Sequence, residues 1–139
     1  MVNETEKANV NEKTEELRKK FFIDAGIYEE QLLEGHIDKT MEHAQLTSDG
    51  RIVFNNELLT DRQKVGIVIL CRCLGSKLDD KIEESVTNKE ISELTGIEPK
   101  SARARLSNLI DENVIIRVSR GVHRINYNKI DDFIDSITE

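Results

Sequence analysis

The chain has 139 residues, which is enough for one main domain of ordinary size and too few for two large independent cores. Its net charge of -7, its lack of tryptophan and its 4% of aromatic residues favour a modest aliphatic core. The longest apolar stretch, residues 65–71, is far shorter than the roughly 20 residues of a membrane span. No basic stretch followed by an apolar one opens the chain as a leader would, so we expect a cytoplasmic protein.

The N-terminal third of the sequence predicts helices and no chemistry. Residues 1–11 are polar and charged without apolar periodicity, so we expect a disordered start. Apolar residues at helical spacing then predict a helix from Glu12 that ends near Gly26, because glycine is typical of a C-terminal stop. A second helix is predicted over residues 28–44, with Gly35 as a position that could interrupt it.

A turn and a short strand end this N-terminal region. Ser-Asp-Gly at 48–50 predicts the turn, and residues 51–54 predict the strand. We therefore treat residues 12–55 as a helical N-terminal region that either braces the rest of the chain or pairs two copies of it. Its first helix carries an apolar stripe of three residues, Leu17, Phe21 and Phe22.

The next helix is predicted to form the centre of the core. Thr60 and Gln63 form a capping box, in which the hydroxyl and the amide satisfy backbone donors at a helix start. From there to Gly75 the sequence is apolar on most sides, as expected of a helix that is buried all round. Residues 76–85 are polar and predict a solvated connector.

Start and stop signals for two further helices follow in quick succession. Thr87 opens a second capping box, and Val86 before it can pack on Ile91 after it. Gly96 suits the left-handed conformation that ends a helix, and Pro99 suits the first turn of the next helix. A short helix, a tight turn and a new helix predict a helix-turn-helix.

The second helix of this pair, predicted over residues 99–112, has an apolar and a polar face. The apolar stripe comprises Ala102, Leu106, Leu109 and Ile110. The polar face and its flanks comprise Lys100, Ser101, Arg103, Ala104, Arg105 and Asn108. Arg, Lys and Asn can hydrogen-bond base edges or phosphates and small residues allow close approach, so this mixture is typical of a helix that enters the major groove of DNA. The alternative is an ordinary solvated helix face.

A hairpin is predicted directly after this helix. Two β-rich runs, residues 114–118 and 122–127, flank a turn that contains Gly121. The hairpin carries three guanidiniums, those of Arg117, Arg120 and Arg124. The guanidinium at the tip, on Arg120, is placed to reach backbone phosphate or the minor groove.

The charges of the chain are segregated. Residues 99–124 carry six basic and two acidic side chains, a net +4, whereas residues 1–50 carry six basic and twelve acidic side chains, a net -6. A local basic patch on an acidic body can bind phosphate while it limits nonspecific association. The alternative is chance clustering of surface charge.

The final segment, residues 128–139, predicts an amphipathic helix. Asn128 can cap it, and acidic side chains form its outer face. Its apolar face, which would pack on the same domain or on a second subunit, comprises Ile130, Phe133, Ile134 and Ile137.

Residues 59–127 resemble the winged-helix transcription regulators, broadly the MarR-like and related archaeal and bacterial families. The segment TNKEISELTGIEPKSARARLSNLIDENVI, followed by IRVSRGVHRI, carries the resemblance. It implies a winged helix-turn-helix over residues 56–127, with the second helix of the motif in the major groove and the hairpin, or wing, at 114–127 on the neighbouring backbone. It assigns the groove contacts to Lys100, Ser101, Arg103, Ala104, Arg105 and Asn108. It assigns the backbone contacts to Arg117, Arg120 and Arg124.

The sequence contains no motif for catalysis or for a cofactor. We find no nucleophile elbow, Gly-rich phosphate loop or zinc-protease motif, so we expect no enzymatic activity and no cofactor. Cys71 and Cys73 are expected to be buried free thiols, because no second cysteine pair is present to complete a metal site. His123 lies on the hairpin, where it could contact phosphate or fill a strand position, and we expect the second.

These patterns together predict a mainly helical protein with a small β-hairpin, a winged helix-turn-helix with an N-terminal helical extension. We expect it to bind double-stranded DNA sequence-specifically as a transcriptional regulator. A homodimer is expected, because two-fold DNA sites favour a two-fold protein. The alternative function is a winged-helix module for protein–protein contact that binds no DNA.

Overall fold

The computed structural model describes residues 4–138, with side chains from residue 11 to residue 137. This part of the chain is mainly helical, with one two-stranded and one three-stranded antiparallel sheet. The chain divides into two compact units, Met1–Glu34 and Gly35–Glu139, and both sheets belong to the second. None of the helices between residues 4 and 138 combines the length and the apolar character needed to cross a bilayer.

Helix α1 (Glu4–Phe21) differs from the expected start of the chain. Residues 1–11 are predicted to be disordered, but the chain is helical from Glu4 onward, and residues 1–3 lie outside the described residues. The helix lacks proline and glycine and is rich in Glu and Lys, which are strong helix formers. An absent apolar stripe therefore does not exclude a helix where local propensity is high.

Helix α2 (Ala25–Met41) begins where the first helix is predicted to end. Oδ1 of Asp24 accepts a hydrogen bond from the backbone N–H of Ile27 at 3.0 Å, so Asp24 caps α2. Gly26 thus lies in the first turn of α2 and is not the stop of α1, and the prediction of a C-terminal stop there is wrong. Gly35 lies within α2 and does not interrupt it.

A hairpin of two short strands, β1 (Ala44–Leu46) and β2 (Ile52–Phe54), follows. The predicted strand is confirmed as β2, whereas its partner begins at the residue where the second helix is predicted to end. The predicted turn is confirmed between them, with Gly50 at a φ of +90° and the backbone N–H of Thr47 donating to the Arg51 carbonyl at 2.8 Å.

Helix α3 (Asp61–Leu78) is the centre of the core, as predicted. Its capping box is complete, since the Gln63 backbone N–H donates to Oγ1 of Thr60 at 3.2 Å and the Thr60 N–H donates to Oε1 of Gln63 at 2.9 Å. Every residue from Val65 to Gly75 is buried. The helix continues for three residues beyond Gly75, the predicted end.

Helices α4 (Asn88–Thr95) and α5 (Pro99–Asp111) are separated by three residues. Thr87 caps α4 through a complete capping box, and Gly96 ends it at a φ of +74°, so both predicted signals are confirmed. The predicted stripe of α5 faces the core: Ala102, Leu106 and Leu109 are buried, and Ile110 is half-buried. This orientation fixes which side of α5 meets solvent.

The predicted hairpin is confirmed and gains a third strand. The strand order is β3 (Val86–Thr87), β5 (Val122–Ile125), β4 (Ile115–Ser119), all antiparallel. Strand β3 is absent from the predictions, because two residues are too few to show an alternating pattern. Arg117 pairs with His123 across β4 and β5, and this register determines which side chains share a face.

Helix α6 (Ile130–Thr138) follows a turn of 3-10 helix, Tyr127–Lys129. Asn126, not the predicted Asn128, caps this turn, since Oδ1 of Asn126 accepts the Asn128 backbone N–H at 3.2 Å. The predicted apolar face is buried within its own unit at three positions, Ile130, Phe133 and Ile134. Of the two predicted packing partners of this face, the structure therefore shows the domain itself.

Candidate nucleic-acid interface

The polar face of α5 meets solvent as the helical spacing predicts. Lys100, Arg103, Ala104, Arg105 and Asn108 are exposed. The guanidinium of Arg105 donates to Oδ1 of Asn108 at 3.4 Å. Ser101 differs from the other predicted residues, because it is half-buried and its hydroxyl donates to a carboxylate oxygen of Glu98 at 3.4 Å. Five of the six predicted side chains on this helix are therefore accessible to a ligand.

A cleft of about 560 Å³ lies between α5 and the β4–β5 hairpin, and we call it the α5–hairpin cleft. Three guanidiniums reach it from separate elements, those of Arg103 on α5, Arg117 on β4 and Arg120 in the β4–β5 turn. The polar side chains of Asn88, Ser107 and His123 also line it. The structure thus brings three of the predicted residues together at one place.

The charges in this cleft have no partner of opposite sign among the side chains of residues 11–137. Within that range no carboxylate forms an ion pair with Arg103, Arg117 or Arg120, and no acidic residue lines the cleft. Arg72 shows the contrast: it is 8% exposed, its Nη1 lies 2.8 Å from Oε2 of Glu90, and its Nε donates to the Glu83 carbonyl. The guanidinium that holds the fold together is paired, whereas those in the cleft are free to meet an external anion.

Arg124 lies apart from the other predicted hairpin arginines. It pairs with Ile116 across the strands, so its side chain projects from the opposite face of the sheet to that of Arg117. Its guanidinium stacks on the ring of Tyr127 at 4.9 Å from the centroid and donates to the Ile125 carbonyl at 3.1 Å. The structure therefore does not bring Arg124 to the cleft.

The Tyr127 ring on that opposite face is held by charged neighbours. Its hydroxyl donates to the carboxylate of Glu84, and Nζ of Lys77 lies 5.1 Å from the ring centroid. The hydrogen bond to Glu84, assisted by burial, raises the pKa of Tyr127 to about 12. Arg124 therefore belongs to a structural cluster on this face.

His123 and Asn88 are the residues of the cleft that the sequence analysis does not place there. His123 is 3% exposed, which confirms the predicted strand position, and its Nε2 lies 2.8 Å from Oδ1 of Asn88. The backbone N–H of Asn88 in turn donates to the Gly121 carbonyl at 3.1 Å. Burial, together with the nearby charge of Arg117, lowers the pKa of His123. Nδ1 of His123 is buried and has no hydrogen-bond partner among the described residues.

Helical spacing places one further residue of the cleft, Ser107, on the polar face of α5, and the structure confirms that it is exposed. Ser107 follows Arg103 by four positions and Lys100 by seven, so it lies on the same helical face. Asn88 could not be found in this way, because its place depends on the pairing of β3 with β5.

The two cysteines carry no sign of a reactive site. Cys71 and Cys73 are buried free thiols, as predicted, and burial raises their pKa values to about 12 and about 11. Among the described residues, no group of three or more His, Cys, Asp or Glu side chains is arranged to hold a metal ion.

Comparison of the chain with protein-family models, with curated proteins and with solved structures found no match in any of the three.

Proposed function

We propose that residues 56–127 form a winged helix-turn-helix that binds double-stranded DNA, and that the protein is a transcription regulator of this kind. The observation that carries the proposal is the meeting of three unpaired guanidiniums, those of Arg103, Arg117 and Arg120, in one cleft on a chain of net charge -7. Positive charge concentrated in this way on an acidic body directs the molecule to a polyanion through one surface.

The order and size of the elements support the same proposal. A short helix, a three-residue turn, the 13-residue α5 and a hairpin follow one another, and β3 adds a third strand to the hairpin. At 13 residues α5 is about 20 Å long, and an α-helix fits the major groove, which is about 12 Å wide. Lys100, Arg105 and Asn108 then lie in the groove, where they can reach base edges or the phosphates along its rims, and the arginines of the α5–hairpin cleft face the backbone.

A mobility-shift experiment with labelled duplex DNA tests this proposal against a variant of matched charge. Replacement of Arg103, Arg105 and Arg120 by glutamine should abolish the shifted band, and circular dichroism should show an unchanged fold. The control triple, Arg51→Gln, Lys81→Gln and Arg124→Gln, changes the net charge equally but lies outside the proposed interface, and it should bind as the wild type does. Equal loss in both triples would refute the assignment, and absence of binding by the wild type at low salt would favour a protein partner.

We also propose that the protein is a homodimer whose copies meet through apolar side chains of the Met1–Glu34 unit. Phe21, Phe22 and Tyr28 are 86%, 64% and 50% exposed, and at about 150–250 Å² per aromatic side chain they expose about 400 Å² together. That is half of the roughly 800 Å² that each partner contributes to a typical stable interface. Four more exposed apolar side chains extend this surface, those of Leu17, Ile23, Ile27 and Leu32.

The charge order of α1 favours a second copy as the partner. By sequence the helix begins with Glu4 and Glu6, and its last turn contains Arg18, Lys19 and Lys20. Two copies of α1 that pair antiparallel about a two-fold axis place each basic end beside an acidic start.

Light scattering on a size-exclusion column tests the dimer. The wild type should elute at twice the chain mass of 15.9 kDa, and the double variant Phe21→Ser/Phe22→Ser should be a monomer. Leu58→Ser is the control, because Leu58 is 89% exposed but lies in the other unit, and this variant should remain dimeric. A monomeric wild type across a roughly hundredfold dilution series would contradict the proposal.

A further inference from the structure

The α5–hairpin cleft has the chemistry of a site for one tetrahedral anion. Arg103, Arg117 and Arg120 line it from a helix, a strand and a turn, so positive charge comes to it from three separate elements. The planar fork of a guanidinium matches two oxygens of a phosphate group, and charge-assisted hydrogen bonds of this kind are about twice as strong as neutral ones. The hydroxyl of Ser107 adds a further donor at the wall of the cleft.

The buried histidine of the cleft has an unmet polar atom. Nε2 of His123 is bonded to Asn88, but Nδ1 is buried without a partner among the described residues. Buried polar atoms in folded proteins are almost always hydrogen-bonded, so an orphaned one points to a group that the site receives. Because Oδ1 of Asn88 can only accept, Nε2 carries the proton and Nδ1 is an acceptor, so a water held on a bound anion can donate to it and complete the hydrogen bonds of this ring.

The turn that carries Arg120 is tight. Gly121 has a φ of +72°, which a side chain would strain, and the space where a Cβ would stand is bounded by Nδ2 of Asn88 at 3.7 Å. The backbone therefore turns tightly beside the buried histidine and leads directly to Arg120 at the hairpin tip.

We infer that the α5–hairpin cleft binds a single phosphate group, held by Arg103, Arg117 and Arg120 above the buried ring of His123. The inference rests on the proposed function for the source of the phosphate, which is one phosphodiester of the DNA backbone beside the groove that α5 occupies. A phosphate fixed at this point sets the register of α5 along the groove. A free phosphate ion presents the same chemistry and competes for the same site.

Titration of the isotope-labelled full chain with sodium phosphate, exchanged against chloride at constant ionic strength, tests the inference by nuclear magnetic resonance. We expect saturable shifts at the backbone amides of Arg120 and Gly121 and at the ring of His123. Arg117→Gln should weaken this binding by about 10-fold to 100-fold, because it removes a charge-assisted contact. Arg105→Gln is the matched control, because it removes the same charge from the same surface but lies outside the cleft, and it should leave phosphate affinity unchanged.

Two arms of the experiment separate the inference from the proposed function. In a mobility-shift assay, added phosphate should displace duplex DNA from the wild type at constant ionic strength. A response to phosphate that does not saturate, or that Arg105→Gln weakens as much as Arg117→Gln, would overturn the inference even if DNA binds. Saturable phosphate binding without any DNA binding would refute the proposed function and support the cleft as a site for a free phosphate compound.

Discussion

Removal of one guanidinium from the α5–hairpin cleft should change the salt dependence of DNA binding by a predictable amount. Five cations without carboxylate partners face the proposed interface: Lys100, Arg103, Arg105, Arg117 and Arg120. If each neutralises one phosphate, the logarithm of the binding constant falls with the logarithm of salt with a slope of about -4.5, because each contact contributes about -0.9. An increase in salt from about 50 mM to about 200 mM should then weaken binding roughly 500-fold.

The single variant Arg117→Gln should reduce the slope to about -3.6, because it removes one phosphate contact. Arg124→Gln should leave the slope of the wild type unchanged, since that guanidinium stacks on Tyr127 on the opposite face of the sheet. Fluorescence anisotropy of a labelled duplex over a salt series measures both slopes. A wild-type slope near zero, or equal losses in the two variants, would refute the reasoning.

Three further predictions concern packing, pH and the end of α5. Gly66→Ala should lower the unfolding free energy by up to about 2 kcal/mol in thermal denaturation, because a Cβ there would lie 2.7 and 2.9 Å from ring carbons of Phe133. Overpacking costs about 1–3 kcal/mol, and alanine returns about 1 kcal/mol of helix propensity. A raised melting temperature would contradict that packing. The fold lowers the pKa of His123 and so disfavours its protonation, and the free energy of unfolding should therefore decline as pH falls below about 6.5. His123→Asn should flatten this decline in urea titrations. An identical pH slope in the variant would exclude His123 as its source. Glu98→Gln should strengthen DNA binding on the order of fivefold, because it removes a negative charge beside Ser101 at the start of α5. Weaker binding in the same anisotropy assay would place the DNA elsewhere.

Local signals allowed much of the second unit to be predicted from the sequence. The capping boxes at Thr60 and Thr87 and the left-handed Gly96 depend on residues within one turn of chain, so they act alike in the sequence and in the fold. The exposed face of α5 followed from helical spacing once Pro99 marked its start. The first part of helix α1, residues 4–11, was missed because it carries no apolar stripe and its helical state depends on local propensity.

Features that depend on pairing between distant segments could not be predicted in the same way. The separation of Arg124 from Arg117 follows from the register of β4 against β5, and a shift of one residue would have placed both on the same face. The approach of Asn88 to His123 requires β3, a strand of two residues that pairs 35 positions away along the chain. The α5–hairpin cleft is therefore a tertiary feature, although all three of its arginines were identified in the sequence.

The central claim is that α5 and the β4–β5 hairpin form the surface that meets DNA. Titration of the isotope-labelled full chain with duplex DNA, followed through backbone amide shifts, tests it most directly. We expect the largest changes at Arg103, Arg117 and Arg120 and along the exposed face of α5, with little change in α6. Largest changes in the β1–β2 hairpin or in α6, or no change at low salt, would contradict it.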